Sequence, residues 1–103
     1  MHVVSRKRLR EFGRIERAAE PLLDGWYRTV KRSRWKNTAE VREIYPHSDL
    51  VGECVVFNIG GNKYRLIVKF EFLKQTVHVK FVLTHKEYDK NTWKTDCRFC
   101  GEK

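Results

Sequence analysis

Lys63-Tyr64-Arg65-Leu66-Ile67-Val68-Lys69-Phe70-Glu71-Phe72 decides the fold. Tyr64, Leu66, Val68, Phe70 and Phe72 alternate with Lys63, Arg65, Ile67, Lys69 and Glu71, so a strand built from them has one apolar and one largely charged face. Upstream, Val55, Phe57 and Ile59 form one side of a strand starting at Cys54, and Gly60-Gly61 followed by Asn62 is a two-residue hairpin signal. Downstream, past a turn at Leu73-Lys74-Gln75, Val77, Val79, Phe81 and Leu83 alternate with Thr76, His78, Lys80, Val82 and Thr84.

Register follows from parity, because pairing must keep apolar side chains on one face of neighbouring strands. Setting Phe57 opposite Tyr64 and Val55 opposite Leu66 makes Gly60-Gly61 the turn. Setting Phe72 opposite Val77 aligns Phe70 with Val79 and Leu66 with Leu83. The other face then has Lys69 opposite Lys80 and Arg65 opposite Thr84, a basic floor whose like-charge repulsion an external anion would relieve.

The first 45 residues read as helical. After a short apolar start at His2 to Val4, Ser5 is placed to cap a helix with Leu9, Phe12, Ile15 and Ala19 as its stripe. Pro21 suits the first turn of a second helix, in which Leu22, Leu23, Trp26, Tyr27 and Val30 face the core. Thr38 to Tyr45 adds a third, ended by Pro46. The architecture expected is α+β: an N-terminal strand, then two to three helices packed on one face of a mainly antiparallel sheet.

At 103 residues the chain is one domain in expectation, with residues 91–103 as a C-terminal tail. Its 22 Lys and Arg against 13 Asp and Glu leave a net charge of +9, which favours a polyanionic partner. The cluster Lys31-Arg32-Ser33-Arg34-Trp35-Lys36 fits either helix-dipole complementarity or phosphate contact. No apolar run approaches the ~20 residues of a membrane span, and the N-terminus lacks a secretory signal, so the cytoplasm is the expected compartment. Cys97 and Cys100 have CxxC spacing without the second pair zinc wants, and read as tail thiols; Cys54 reads as a buried one.

A basic floor without carboxylate clusters for magnesium suits metal-independent RNA cleavage, with no cofactor. A base removes the 2′-OH proton, cations stabilise the pentavalent phosphate, and an acid protonates the leaving 5′-oxygen. Arg65, His85, Tyr88 and nearby lysines could supply these roles. On composition and spacing alone, a noncatalytic nucleic-acid binder fits equally well.

The stretches Val56-Phe57-Asn58-Ile59-Gly60-Gly61-Asn62-Lys63-Tyr64-Arg65-Leu66 and Thr84-His85-Lys86-Glu87-Tyr88-Asp89, with the opening Met1-His2-Val3-Val4, resemble the HigB family of type II toxin–antitoxin systems, a branch of the RelE-type toxin superfamily. The likeness runs to about Trp93. It implies a RelE-like toxin fold and a bacterial, cytoplasmic endoribonuclease that cuts messenger RNA, usually on the ribosome. It also implies silencing by a cognate HigA-like antitoxin with a helix-turn-helix domain.

By the same resemblance Arg65 matches the strand arginine that binds the scissile phosphate, and His85 and Lys86 match basic positions after the last long strand. Tyr88 completes the expected catalytic set, by packing, base stacking or proton transfer. His85 is the better proton carrier, since imidazole changes charge near neutral pH. Lys63, Lys69, Lys80 and Asp89 make up the RNA-binding set, Asp89 either orienting His85 or a lysine or serving as a cap. Asn62 reads as a turn residue. Two alternatives stay open: a noncatalytic relative of ParE type that inhibits DNA gyrase, and an RNA-binding module that leaves RNA intact.

Overall fold

The computed structural model describes residues 1–61 and 63–94. Asn62, Cys97 and Cys100, whose readings are given above, lie outside the described residues. The order of elements is strand β1 (His2–Val4), helix α1 (Arg6–Ile15), helix α2 (Glu20–Arg32), helix α3 (Thr38–Ile44), strands β2 (Asp49–Val51), β3 (Cys54–Ile59), β4 (Tyr64–Glu71) and β5 (Thr76–Thr84), and helix α4 (His85–Asp89). Single 3-10 turns sit at Arg17–Ala19 and Phe72–Lys74.

The sheet runs β1-β5-β4-β3-β2, with β1 parallel to β5 and every other pair antiparallel. This is the α+β architecture expected, with β2 as an additional edge strand. Helices α1 to α3 bring Leu9, Leu23, Trp26, Val30 and Val41 against Val55, Phe57, Leu66, Val68 and Val77 in one buried cluster. Trp26 and Phe57 meet edge to face at 5.5 Å, a geometry aromatic quadrupoles favour. Trp35, the aromatic of the basic cluster, is buried against Tyr45 and Phe70 and so serves the core.

Local chemistry explains the helix ends. Asn37 accepts the Glu40 backbone N–H at 3.0 Å and so caps α3, while Pro21 occupies the first turn of α2. Ser5 does not cap with its side chain: it sits at φ 70°, and its carbonyl accepts Arg8 N–H at 3.0 Å. Ile15 is 79% exposed and not core, because α1 ends there and its last residue fans away from the stripe. Leu22 is also exposed, at the rim of the α2 stripe.

Two registers differ from expectation. Across β3 and β4, Ile59 faces Tyr64, Phe57 faces Leu66 and Val55 faces Val68, so the loop holds four residues and the pairing moves by two. Gly60 and Gly61 both adopt positive φ, 63° and 70°, but the chain closes only with Lys63 N–H on the Gly60 carbonyl at 3.4 Å. A shift of two preserves the faces.

Across β4 and β5 the pairing starts with Phe70 opposite Val77 and Val68 opposite Val79, and then shifts. Ile67 faces Phe81, Leu66 faces Val82 and Arg65 faces Leu83, leaving Lys80 as the extra residue of a β-bulge. Lys69 therefore stands opposite His78, not Lys80, and Arg65 opposite Leu83, not Thr84. Past the bulge parity inverts: Val82 joins the helix-covered cluster, while Phe81 and Leu83 pack with Cys54, Val56, Ile67 and Trp93 on the other face.

The expected basic floor is thus largely a second apolar cluster. Cys54 within it is buried, as expected, but disulfide-bonded and not a free thiol.

Candidate RNA-binding and cleavage site

Arg65 lies on this second face, flanked by Asn58 on β3 and Leu83 on β5, and is only 9% exposed. One guanidinium nitrogen, Nη1, donates to the Tyr64 carbonyl at 3.3 Å. The Tyr88 ring stands over its Cζ at 5.0 Å, a cation–π distance.

Tyr88 reaches that position because β5 passes directly into α4. The Thr84 hydroxyl accepts Glu87 N–H at 3.3 Å and the Glu87 carboxylate accepts Thr84 N–H at 3.0 Å, a reciprocal capping box that starts the helix at His85. His85 N–H also donates to the Lys63 carbonyl at 3.0 Å, which ties the head of α4 to the β3–β4 loop. From below, Trp93 stacks on Tyr88 at 4.9 Å between ring centres and 18° between planes, and its indole N–H donates to the Tyr88 carbonyl at 2.9 Å. Trp93 is itself buried.

On the exposed side of α4, His85 Nδ1 and Asp89 Oδ2 are 2.9 Å apart, one helical turn from each other. With Nδ1 held by the carboxylate, Nε2 is the ring nitrogen left to exchange a proton. Lys63 and Lys86 are exposed beside the same corner of the fold. So the Arg65–Tyr88 pair and the His85–Asp89 pair lie at the junction of β4, β5 and α4, with the Lys63 backbone tied to the head of α4 and Lys86 next to His85 in sequence.

Lys69 and Lys80 do not join them. Lys69 is four residues along β4 from Arg65, roughly 13 Å at ~3.3 Å per residue, and the Lys80 carbonyl sits in the bulge, where it accepts Arg8 Nη1 at 3.0 Å. Trp93, Phe81 and Leu83 also border this corner, although the sequence pattern does not mark them as site residues. Trp93 stood at the end of the recognisable motif, and the bulge hides the true face of the other two.

Tyr64, next to Arg65 in sequence, belongs to the opposite face. Burial, and then the Glu16 carboxylate 3.4 Å from its hydroxyl, push its pKa above the ordinary tyrosine value. Among the described residues no cluster of His, Cys, Asp or Glu is arranged to hold a metal ion, and no helix is long and apolar enough to cross a membrane.

A small basic α+β protein that gathers an arginine, an aromatic ring and a carboxylate-oriented histidine at one sheet end is built to handle a phosphate-bearing polymer. The profile of the HigB toxin family, described as the RelE-like toxic component of a toxin–antitoxin system, matches residues 19–91. The chain belongs to that family. Similar relatives include mRNA interferase HigB of Escherichia coli O6:H1, 30% identical over 95 residues that cover 89% of this chain and 92% of the relative. The mRNA interferase toxin HigB of Escherichia coli strain K12 is 27% identical over 92 residues, covering 86% and 88%. The Shigella flexneri mRNA interferase HigB gives the same values.

Proposed function

We propose that this chain is an mRNA interferase, an endoribonuclease that cuts messenger RNA, usually while it is being translated. The observation that carries the reading is Arg65 set under Tyr88 at the foot of α4, with the His85–Asp89 pair one turn around the same helix. The names of the relatives support it independently.

In this reading His85 Nε2 takes the 2′-OH proton, and the 2′-oxygen attacks the adjacent phosphorus. The P–O5′ bond breaks as the 5′-oxygen takes a proton from solvent water, and a 2′,3′-cyclic phosphate remains. Arg65, aided by Lys63 and Lys86, stabilises charge on the pentavalent phosphate, which is the term that usually lowers such a barrier most. Asp89 orients the imidazole. Tyr88 holds the guanidinium and offers a stacking surface to a base. Because the cations are side chains, the step proceeds without a metal.

Partners follow from the family: a cognate helix-turn-helix antitoxin, and the ribosome that presents the message. The setting is the bacterial cytoplasm, where translated messages are. The test is incubation of the purified chain with translating ribosomes and mapping of message ends. Defined cuts that vanish with Arg65→Ala support the reading. Intact messages with gyrase-dependent DNA damage would transfer it to the gyrase-inhibitor class.

A further inference from the structure

Beside Arg65, the second face of the sheet carries an open cleft of about 300 Å³, lined by Phe81, Leu83, Glu87, Lys90, Thr92 and Trp93. Two of its walls are continuous with the phosphate site. Leu83 is the cross-strand partner of Arg65, and Trp93 stacks on the Tyr88 ring that covers the Arg65 guanidinium.

We propose that this cleft is a nucleobase subsite, which seats a base next to the phosphate held at Arg65 and favours a base carrying an exocyclic amino group over uracil. The inference rests on the RNA reading above and adds to it which chemical feature of the substrate is read.

Three features carry it. The walls are apolar and aromatic with a polar rim, the composition that takes up the flat face of a base and hydrogen-bonds its edge. The volume lies at the bottom of the ~300–1,000 Å³ range of ligand pockets and is ample for one base. The rim chemistry then supplies the choice. One carboxylate oxygen of Glu87, Oε1, is committed to the Thr84 N–H at 3.0 Å and the Thr84 hydroxyl at 3.1 Å. Its other oxygen has no hydrogen-bond partner among the described residues and is an acceptor only, so it pairs with the amino group of cytosine, adenine or guanine, whereas uracil turns a carbonyl oxygen to it at O4 and has only its ring N3–H to offer. Lys90 and Thr92 supply donors beside it.

The decisive variant is Glu87→Gln. Glutamine satisfies the capping box as glutamate does, so α4 keeps its start. Its carbonyl takes the Thr84 N–H, which turns an amide NH₂ toward the cleft and replaces an acceptor with a donor. The preference should therefore invert toward uracil over cytosine and adenine, with guanine able to turn its O6 carbonyl to the new donor, a pattern that loss of fold would not produce.

The experiment is titration of the ¹⁵N-labelled chain with each of the four nucleoside 3′-monophosphates, followed at the Trp93 indole N–H and the Thr92 amide. Both resonances should move, with the amino-bearing nucleotides bound about tenfold tighter than uridine 3′-monophosphate, the scale of one well-placed base-edge hydrogen bond. Glu87→Gln should place uridine 3′-monophosphate above the cytidine and adenosine nucleotides, the guanosine nucleotide being retained through its O6. Shifts confined to the surroundings of Arg65, or equal affinities for all four nucleotides that Glu87→Gln leaves equal, would overturn the subsite. The readout needs no cleavage: binding in the cleft by a chain that leaves messages intact defeats the proposed activity alone, and cleavage without binding there defeats the subsite alone.

Discussion

The Tyr88 ring lies 5.0 Å from the Arg65 guanidinium carbon, so a residue delivered by a five-residue helix lids one delivered by the second-longest strand. The pairing sets what each partner does. Arg65 is held in one orientation at little exposure, and Tyr88 is held between it and Trp93. A guanidinium fixed in this way does not have to reorganise as charge builds on phosphorus.

Replacing Arg65 by alanine should therefore lower single-turnover cleavage by about 10²–10³, the loss typical of removing one preorganised donor. Arg65→Lys should recover only part of it, because an ammonium lacks the planar fork that meets two phosphate oxygens. Thermal unfolding of both variants separates a lost cation from a lost fold. A normally cleaving Arg65→Ala protein would remove Arg65 from the site.

His85→Ala should cost less than Arg65→Ala, on the order of 10–10², since solvent or Tyr88 can carry a proton but nothing replaces the fixed charge. Asp89→Asn should cost less again while raising no barrier to folding, because the pair it breaks is exposed at 53% and 60% of the two side chains. Rates for the three variants under one set of ribosomes check the ranking.

Thr84→Ala removes the side-chain half of the capping box and should destabilise α4 by about 1 kcal/mol. As α4 carries His85, Tyr88 and Asp89, cleavage should fall with it, whereas Thr84→Ser should keep both. Amide hydrogen exchange confined to residues 85–89 would report the local fraying.

Alkaline stability should depend on two core tyrosines. Burial raises the Tyr45 pKa against a hydrogen bond with Thr29 that lowers it; burial and then Glu16 raise that of Tyr64. In both cases the folded chain binds the proton more tightly than the unfolded chain, whose tyrosines ionise near ~10. Their contribution is fully present below that pH and is lost as pH rises through the folded-state values above it. Denaturant midpoints should fall above pH ~10 in the natural chain and fall less steeply in Tyr64→Phe, which cannot ionise.

How much of this was legible differs from element to element. The faces of β3, of β4 and of the first half of β5 follow from strict alternation, and the stripe of Leu23, Trp26 and Val30 marks the buried side of α2. The hairpin pairing differs by two residues from the one apolar parity suggests, because glycines permit several loop lengths and parity cannot tell a shift of two from none. The site was legible as a set of residues near the end of β5. Its support was not, since Trp93 makes its contacts from beyond the last regular element.

The bulge leaves no mark in the sequence, because Phe81-Val82-Leu83 are all apolar and either parity places an apolar side chain on each face. That yields a sharp test. In an unbroken strand, deleting Lys80 would move Phe81 and Leu83 to the opposite face and break both clusters. In the bulged strand Lys80 is the surplus residue, and its removal leaves Val79 opposite Val68 and Phe81 opposite Ile67 with faces unchanged. The deletion should therefore fold, losing the Arg8 bond to the Lys80 carbonyl and some local twist, at a cost within the ~0.5–3 kcal/mol of an ordinary single change. Phe57→Ala, which hollows the centre of the helix-covered cluster, should cost more, about 3–5 kcal/mol, while Phe70→Ala, at the half-buried margin, should fall between the two. Denaturant unfolding of the three variants gives the order, and a nuclear Overhauser contact between the Phe81 ring and Ile67 in the deletion variant shows whether the face was kept. Loss of that contact, or a deletion costlier than Phe57→Ala, would return Lys80 to the regular ladder.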